Sequence, residues 1–186
     1  MGHKFGKSRQ STEIISLPLQ VGLVWSQNST LTSFCGGSII TRRHILTAAH
    51  CTFDSFTGEV TAPASIQVLV GEHNTADSVA DKRDVTKIRT HPRYNDEIAD
   101  YDVAVLLLTS PLTFSSTIAP VCLPASTQSL YTGQVATVTG WGLTSSGGSP
   151  ASTLQEAEVM VVSNEECKDY YPGKIKKYIL AILEYA

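Results

Sequence analysis

No apolar run in this chain exceeds six residues, the length of Val103 to Leu108, far below the roughly 20 that span a bilayer as a helix. That excludes a membrane-spanning helix and with it a membrane partner. Basic charge is equally thin. Lys and Arg number 14 against 17 Asp and Glu, for a net charge of −3. Apart from Lys174, Lys176 and Lys177 the cations are scattered, so no basic stripe exists to collect phosphate contacts and nucleic acid is excluded as a partner. The opening stretch, MGHKFGKSRQ, is basic and lacks the apolar segment of a secretion signal. Cysteine is present only at 35, 51, 122 and 167, with no CxxC pair and no standard zinc spacing. An even count in such a pattern points first to disulfides, which belong to oxidising compartments, and this conflicts with the missing signal.

What is present favours a packed core. The apolar fraction is 42% and the charged fraction 17%, a balance that disordered chains do not reach. Most apolar residues fall in short, strand-like runs: LPLQVGLVW (17–25), SIITRRHILTAA (38–49), SIQVLVG (65–71), DVAVLLL (102–108), QVATVTGWG (134–142) and EAEVMVV (156–162). Clusters rich in Gly, Pro, Ser, Asn and Asp separate them, as in TSSGGSPAS at 144–152. Many short strands with turn chemistry between them predict an all-β sandwich or barrel. Two segments depart from this. TAAHC has the small residues of a helical turn, and KIKKYILAILEYA (174–186) sets Ile175, Tyr178, Ile179, Ile182 and Leu183 at helical spacing.

The stretch HILTAAHC (44–51) holds two histidines and a cysteine, and three readings of it are open: a metal site, a catalytic base, or core. If Cys35 and Cys51 were bridged, closing a loop of that size would contribute about 3 kcal/mol and pin the chain beside His50. DYDVAVLLL favours the base. A carboxylate directly before an apolar strand is costly to bury without a partner, and imidazole is a natural one. A carboxylate bonded to one ring nitrogen fixes the tautomer and frees the other nitrogen to take a proton. Asp102 lies nearest the apolar run and is preferred over Asp100, which the sequence leaves in a solvated loop.

FCGGSIITRRHILTAAHC, DYDVAVLLL, APVCLP and VTGWG, in that order, resemble the chymotrypsin/trypsin family of serine endopeptidases over roughly residues 17 to 173. The resemblance implies two antiparallel β-barrels with the active site in the cleft between them. It also implies proteins or peptides as substrates, no cofactor, an extracellular setting, His50 as general base, Asp102 as its orienting carboxylate, and a Cys35–Cys51 bridge. On it, residues 1–16 form a divergent N-terminal segment and 17–120 the first barrel. Residues 121–173 are a linker and the start of a second barrel, incomplete in this chain, and 174–186 an atypical tail. The separation of His50 and Asp102 exceeds the roughly 45 residues usual in the family, and CTFDSFTGEVTAPAS (51–65) is the expected site of an insertion.

The pattern breaks after Asp102. No Gly-Asp-Ser-Gly stretch occurs, and GGSP at 147–150 is a turn. The segment that carries the nucleophile in the family also carries the oxyanion-hole amides, so this chain is expected to be inactive, as a truncated or aberrant family member. The alternative is a non-catalytic homologue that binds or regulates. TEIISLPLQV offers no Ile-Val-Gly-Gly-like start. Cys122 and Cys167 are expected to be unpaired here, their family partners lying outside the chain. Asn28-Ser29-Thr30 fits the glycosylation acceptor pattern. GEHNTADSVADKRD (71–84) resembles the family's calcium loop, with Glu72 and either Asp77 or Asp81 as weak ligand candidates, although a plain solvated loop is the stronger reading and no metal is assigned. His44, His73 and His91 match no ligand spacing, and Trp141 reads as core.

Overall fold

A computed structural model describes residues 18–26, 34–54, 57–75, 81–124, 131–145 and 147–170. Asn28, Asp77, the N-terminal segment and the 174–186 tail lie outside the described residues. The chain divides into two compact units, one spanning Ile14–Leu123 and the other including Pro124–Ala186.

The first unit is a closed six-stranded barrel. Its strands are β1 (Gln20–Trp25), β2 (Cys35–Ile39), β3 (His44–Thr47), β6 (Ile66–Val70), β7 (Asp81–Thr90) and β8 (Ala104–Leu108), and β4 (Phe53–Asp54) with β5 (Glu59–Val60) forms a separate small ribbon. The barrel runs β1-β2-β3-β8-β7-β6, with β6 pairing back onto β1 and every pairing antiparallel. Closure leaves no free edge in this sheet. Period-two burial is clearest on β8, where Ala104, Leu106 and Leu108 are buried and Val105 and Leu107 are only half so. Val21, Leu23, Ile39, Ile45, Ile66, Val68, Val70, Leu106 and Leu108 fill the interior. Gly37 is confined there: a Cβ on it would come within 2.9 Å of Ile45 Cγ2 and 3.0 Å of the Leu46 carbonyl.

Two expectations are corrected. SIITRRHILTAA is not one run: it breaks at Thr41-Arg42-Arg43 into the β2–β3 hairpin. The Thr41 hydroxyl accepts from the Arg43 and His44 amides, and Arg43 donates to the Leu108 and Thr109 carbonyls. The stretch 81–84, read as the end of a solvated loop, instead begins the longest strand, β7. Its apolar residues Val85 and Ile88 stand three apart, a spacing that puts them on opposite faces of a regular strand. A bulge between Val85 and Lys87 shifts the register. It turns both residues toward the core, where Val85 is buried and Ile88 packs against it.

The second unit is described through β9 (Val135–Gly140) and β10 (Gln155–Met160), an antiparallel pair running from Gln155 opposite Gly140 to Met160 opposite Val135. Trp141, Leu154 and Val161 are buried beside it. A helix, α1 (Asn164–Tyr170), follows, and the Ser163 hydroxyl accepts the Glu166 amide at its start. The fold is therefore all-β, with one closed barrel and a partial second one.

Candidate active site

Strand register explains why residues 52 apart in sequence meet. β3 and β8 pair with Thr47 opposite Ala104. His50 lies three residues past Thr47 and Asp102 two before Ala104, so antiparallel pairing delivers both to the same end of the barrel. After β3 the chain winds into a single 3-10 turn, His50–Thr52, which the Thr52 amide and hydroxyl both close onto the Ala49 carbonyl at 2.9 Å. Ala49 and Thr52 are fully buried, whereas the His50 side chain is 52% exposed. The turn is anchored and the imidazole is presented outward.

Cys51 is joined to Cys35, at the head of β2, by a disulfide. The bridge ties the residue after His50 to the barrel wall. Cys51 Sγ lies 3.4 Å from His50 Nε2.

Asp102 holds His50 twice. One carboxylate oxygen accepts the His50 backbone amide at 2.8 Å and the other meets Nδ1 of the ring at 2.7 Å. Burial works to raise the Asp102 pKa. The hydrogen bonds from the His50 ring, the His50 amide and the Ala49 amide, with attraction to the ring's charge, outweigh it, and the carboxyl ends below its ordinary 3.8. Near neutral pH Asp102 is thus ionised and can only accept, so Nδ1 must be the donor and Nε2 carries the lone pair of the neutral ring.

The sign of this shift fixes a pH dependence. The folded pKa lies below the unfolded one, so the unfolded chain binds more protons and stability rises with pH through the interval. The contribution is complete above the unfolded value and disappears as pH falls through the folded one. Urea midpoints of the wild type and Asp102→Asn should differ at about pH 6 and converge toward about pH 2. A gap independent of pH would mean that the carboxylate's charge plays no part.

A loop overlooked in the sequence flanks Asp102. His91 stacks on Tyr101, with ring centroids 4.5 Å apart. The Arg93 guanidinium lies 5.7 Å from the Tyr101 centroid and donates to the phenol oxygen at 3.3 Å. Tyr101 has φ +55° and Ala99 φ +49°, left-handed conformations that cost non-glycine residues about 1–2 kcal/mol each. The Val103 amide bonds back to the Tyr101 carbonyl at 2.7 Å, which turns the chain tightly around Asp102. Tyr94 donates to Asp96 at 2.6 Å. Burial, that bond and the charges of Asp96 and Asp102 together raise its phenol pKa. No spacing in the sequence announces these contacts, because they exist only once β7 and β8 pair.

Asp100 instead exchanges backbone hydrogen bonds with Asn95. His44 Nδ1 lies 2.7 Å from the Thr41 hydroxyl, apart from His50. Glu72 accepts the Asp81 amide at 3.2 Å, and Asp81 pairs with Arg83 at 2.7 Å. Cys122 and Cys167 are free thiols, exposed and buried respectively. Trp141 is buried. Cys35, His50 and Cys51 bring ligand atoms within 4.8 Å of one another, but both sulfurs are spent in the disulfide, and a metal needs thiolates. No helix among the described residues is long and apolar enough to cross a membrane.

A family model described as Trypsin matches residues 7–184. The serine proteinase stubble of Drosophila melanogaster is 39% identical over 141 residues, which cover 74% of this chain and 17% of that protein. Trypsin-1 of Astacus astacus is 36% identical over 140 residues, covering 74% of this chain and 57% of its own. Limulus clotting factor C of Carcinoscorpius rotundicauda is 32% identical over 170 residues, covering 87% and 17%. The chain thus spans less than two thirds of the length of these relatives.

Proposed function

Because the chain belongs to the trypsin family of serine proteases, whose members act on protein or peptide substrates, we propose that it carries the proton-transfer half of a serine endopeptidase site. His50 is the general base and Asp102 its orienting carboxylate. The observation that carries this reading is the double hold of Asp102 on the His50 amide and Nδ1. With Nδ1 donating, Nε2 takes the proton of an attacking hydroxyl and returns it to the leaving amine.

These 186 residues contain no Gly-Asp-Ser-Gly nucleophile segment, and on our reading they do not hydrolyse peptide bonds by themselves. Removing one triad member leaves about 10³–10⁴-fold catalysis through the oxyanion hole and substrate binding. Without the segment that forms the hole, that residue of activity goes too. The purified chain is expected to take no label from a fluorophosphonate probe and to cleave no peptide. A labelled serine would overturn the inactivity.

An ordered His–Asp couple fits both a piece of an endopeptidase, the reading we favour, and a binding homologue that lacks only the nucleophile. Sequencing past the Gly173 codon separates the two: an in-frame Gly-Asp-Ser-Gly stretch supports the enzyme, and its absence supports the homologue. We assign the chain to the extracellular side. The Cys35–Cys51 bridge suits an oxidising compartment.

A further inference from the structure

Asp102 stands between Tyr101 and Val103, and one residue grips both. Strand β7 ends at Thr90, opposite Ala104. The His91 amide prolongs that ladder by donating to the Val103 carbonyl at 2.9 Å. The His91 ring turns to the other neighbour and stacks on Tyr101, with centroids 4.5 Å apart and the planes 7° from parallel. The Val103 amide in turn donates to the Tyr101 carbonyl at 2.7 Å. Asp102 is thus the middle residue of a three-residue turn whose two ends His91 holds.

This turn needs holding. Tyr101 has φ +55° and Ala99 φ +49°, and a bulky residue keeps a left-handed backbone only where its surroundings impose it. Released, Tyr101 would return to the extended or right-handed region and swing the carboxylate that follows it. The stack opposes that swing, because the return would carry the phenol ring off the imidazole.

Local sequence builds the imidazole into place. Pro92 fixes the backbone angle at the second position of a turn, His91 to Tyr94, which the Tyr94 amide closes onto the His91 carbonyl at 2.9 Å. The turn brings the Arg93 amide within 3.2 Å of His91 Nδ1, to which it donates, and this bond sets the ring's orientation. It also carries the Arg93 guanidinium to 5.7 Å from the Tyr101 centroid, with a bond to the phenol oxygen at 3.3 Å. His91 and Arg93 seat the same phenol.

We propose that His91 is the positioning residue for Asp102: through Tyr101 and Val103 it holds the carboxylate against the His50 amide and Nδ1. Its part is to hold geometry, not to move a proton. His91 matters to proton transfer only if Asp102 orients His50, as proposed above.

Proton NMR of the full chain, isotope-labelled at histidine, tests this. A proton between an imidazole Nδ1 and a carboxylate resonates far downfield, and an imidazole beside a carboxylate titrates higher than one without it. The downfield signal, assigned to His50 by its absence from His50→Ala, should be present in the wild type and lost from His91→Ala. The His50 titration midpoint should fall by about one pH unit in His91→Ala and further in Asp102→Asn. His91→Phe keeps a flat ring on Tyr101 and should restore both. If His91→Ala does not fold, Tyr101→Ala removes the same contact from its exposed side and should give the same two changes. The double variant should lose no more than either single one, as expected of partners in one contact. A folded His91→Ala with the wild-type signal and midpoint overturns the proposal, as does a His91→Phe no better than His91→Ala, or additive losses in the double variant. Asp102→Asn keeps the two failures apart. If it leaves the His50 signal intact, the orienting role of Asp102 falls; if it abolishes the signal while His91→Ala does not, only the positioning role of His91 falls.

Discussion

Leu106→Ala is expected to destabilise the barrel unit by about 2–5 kcal/mol, read as a shift in the urea midpoint at unchanged slope. Leu106 is completely buried at the middle of β8. It stands opposite Ile45 on β3 and Ile88 on β7. The walls around it are strands hydrogen-bonded into a ring, which cannot move inward to fill the space without breaking ladder bonds, so the cavity stays open and the cost falls in the upper part of that range. Leu107→Ala, one residue on and facing outward between His44 and Lys87, should cost about 1 kcal/mol. Equal losses at the two positions would contradict the alternation that defines β8.

The second large effect concerns the bridge. Replacing both Cys35 and Cys51 by serine should lower stability by about 3 kcal/mol, the chain-entropy value for a 16-residue separation. Exchange of the His50 amide should quicken at the same time, since the residue after it is no longer tethered to β2. A loss under about 1 kcal/mol would mean that the β2–β3 hairpin and the Thr52 bonds to Ala49 already hold the turn unaided.

Physical reasoning on the sequence reached some elements directly. β8 was legible because Val103 to Leu108 form an unbroken apolar run of strand length. Asp102 was preferred over Asp100 on the cost of burying a carboxylate before that strand, and the structure brings Asp102, not Asp100, onto His50. The Cys35–Cys51 bridge came from the family resemblance and is present. β7 was not legible: Val85 and Ile88 at a spacing of three defeat a period-two search, and only the bulge reconciles them. The β4–β5 ribbon was hidden for a related reason, since strands of two residues carry no periodicity. The stack of His91 on Tyr101 and the bond of Arg93 to the Tyr101 phenol depend on how loops fall after strands have paired, which no local pattern encodes.

The pairing of Thr47 with Ala104 acts as a ruler for the site. Residues added in the loops between Cys51 and Asp81 leave the ruler unchanged, because surface loops absorb length at little cost. The three steps from Thr47 to His50 and the two from Asp102 to Ala104 have no such slack. A single extra residue in either turns a side chain to the other face of its segment and parts the acid from the base. A one-residue insertion is therefore expected to be tolerated in the first stretch and to separate acid from base in the other two.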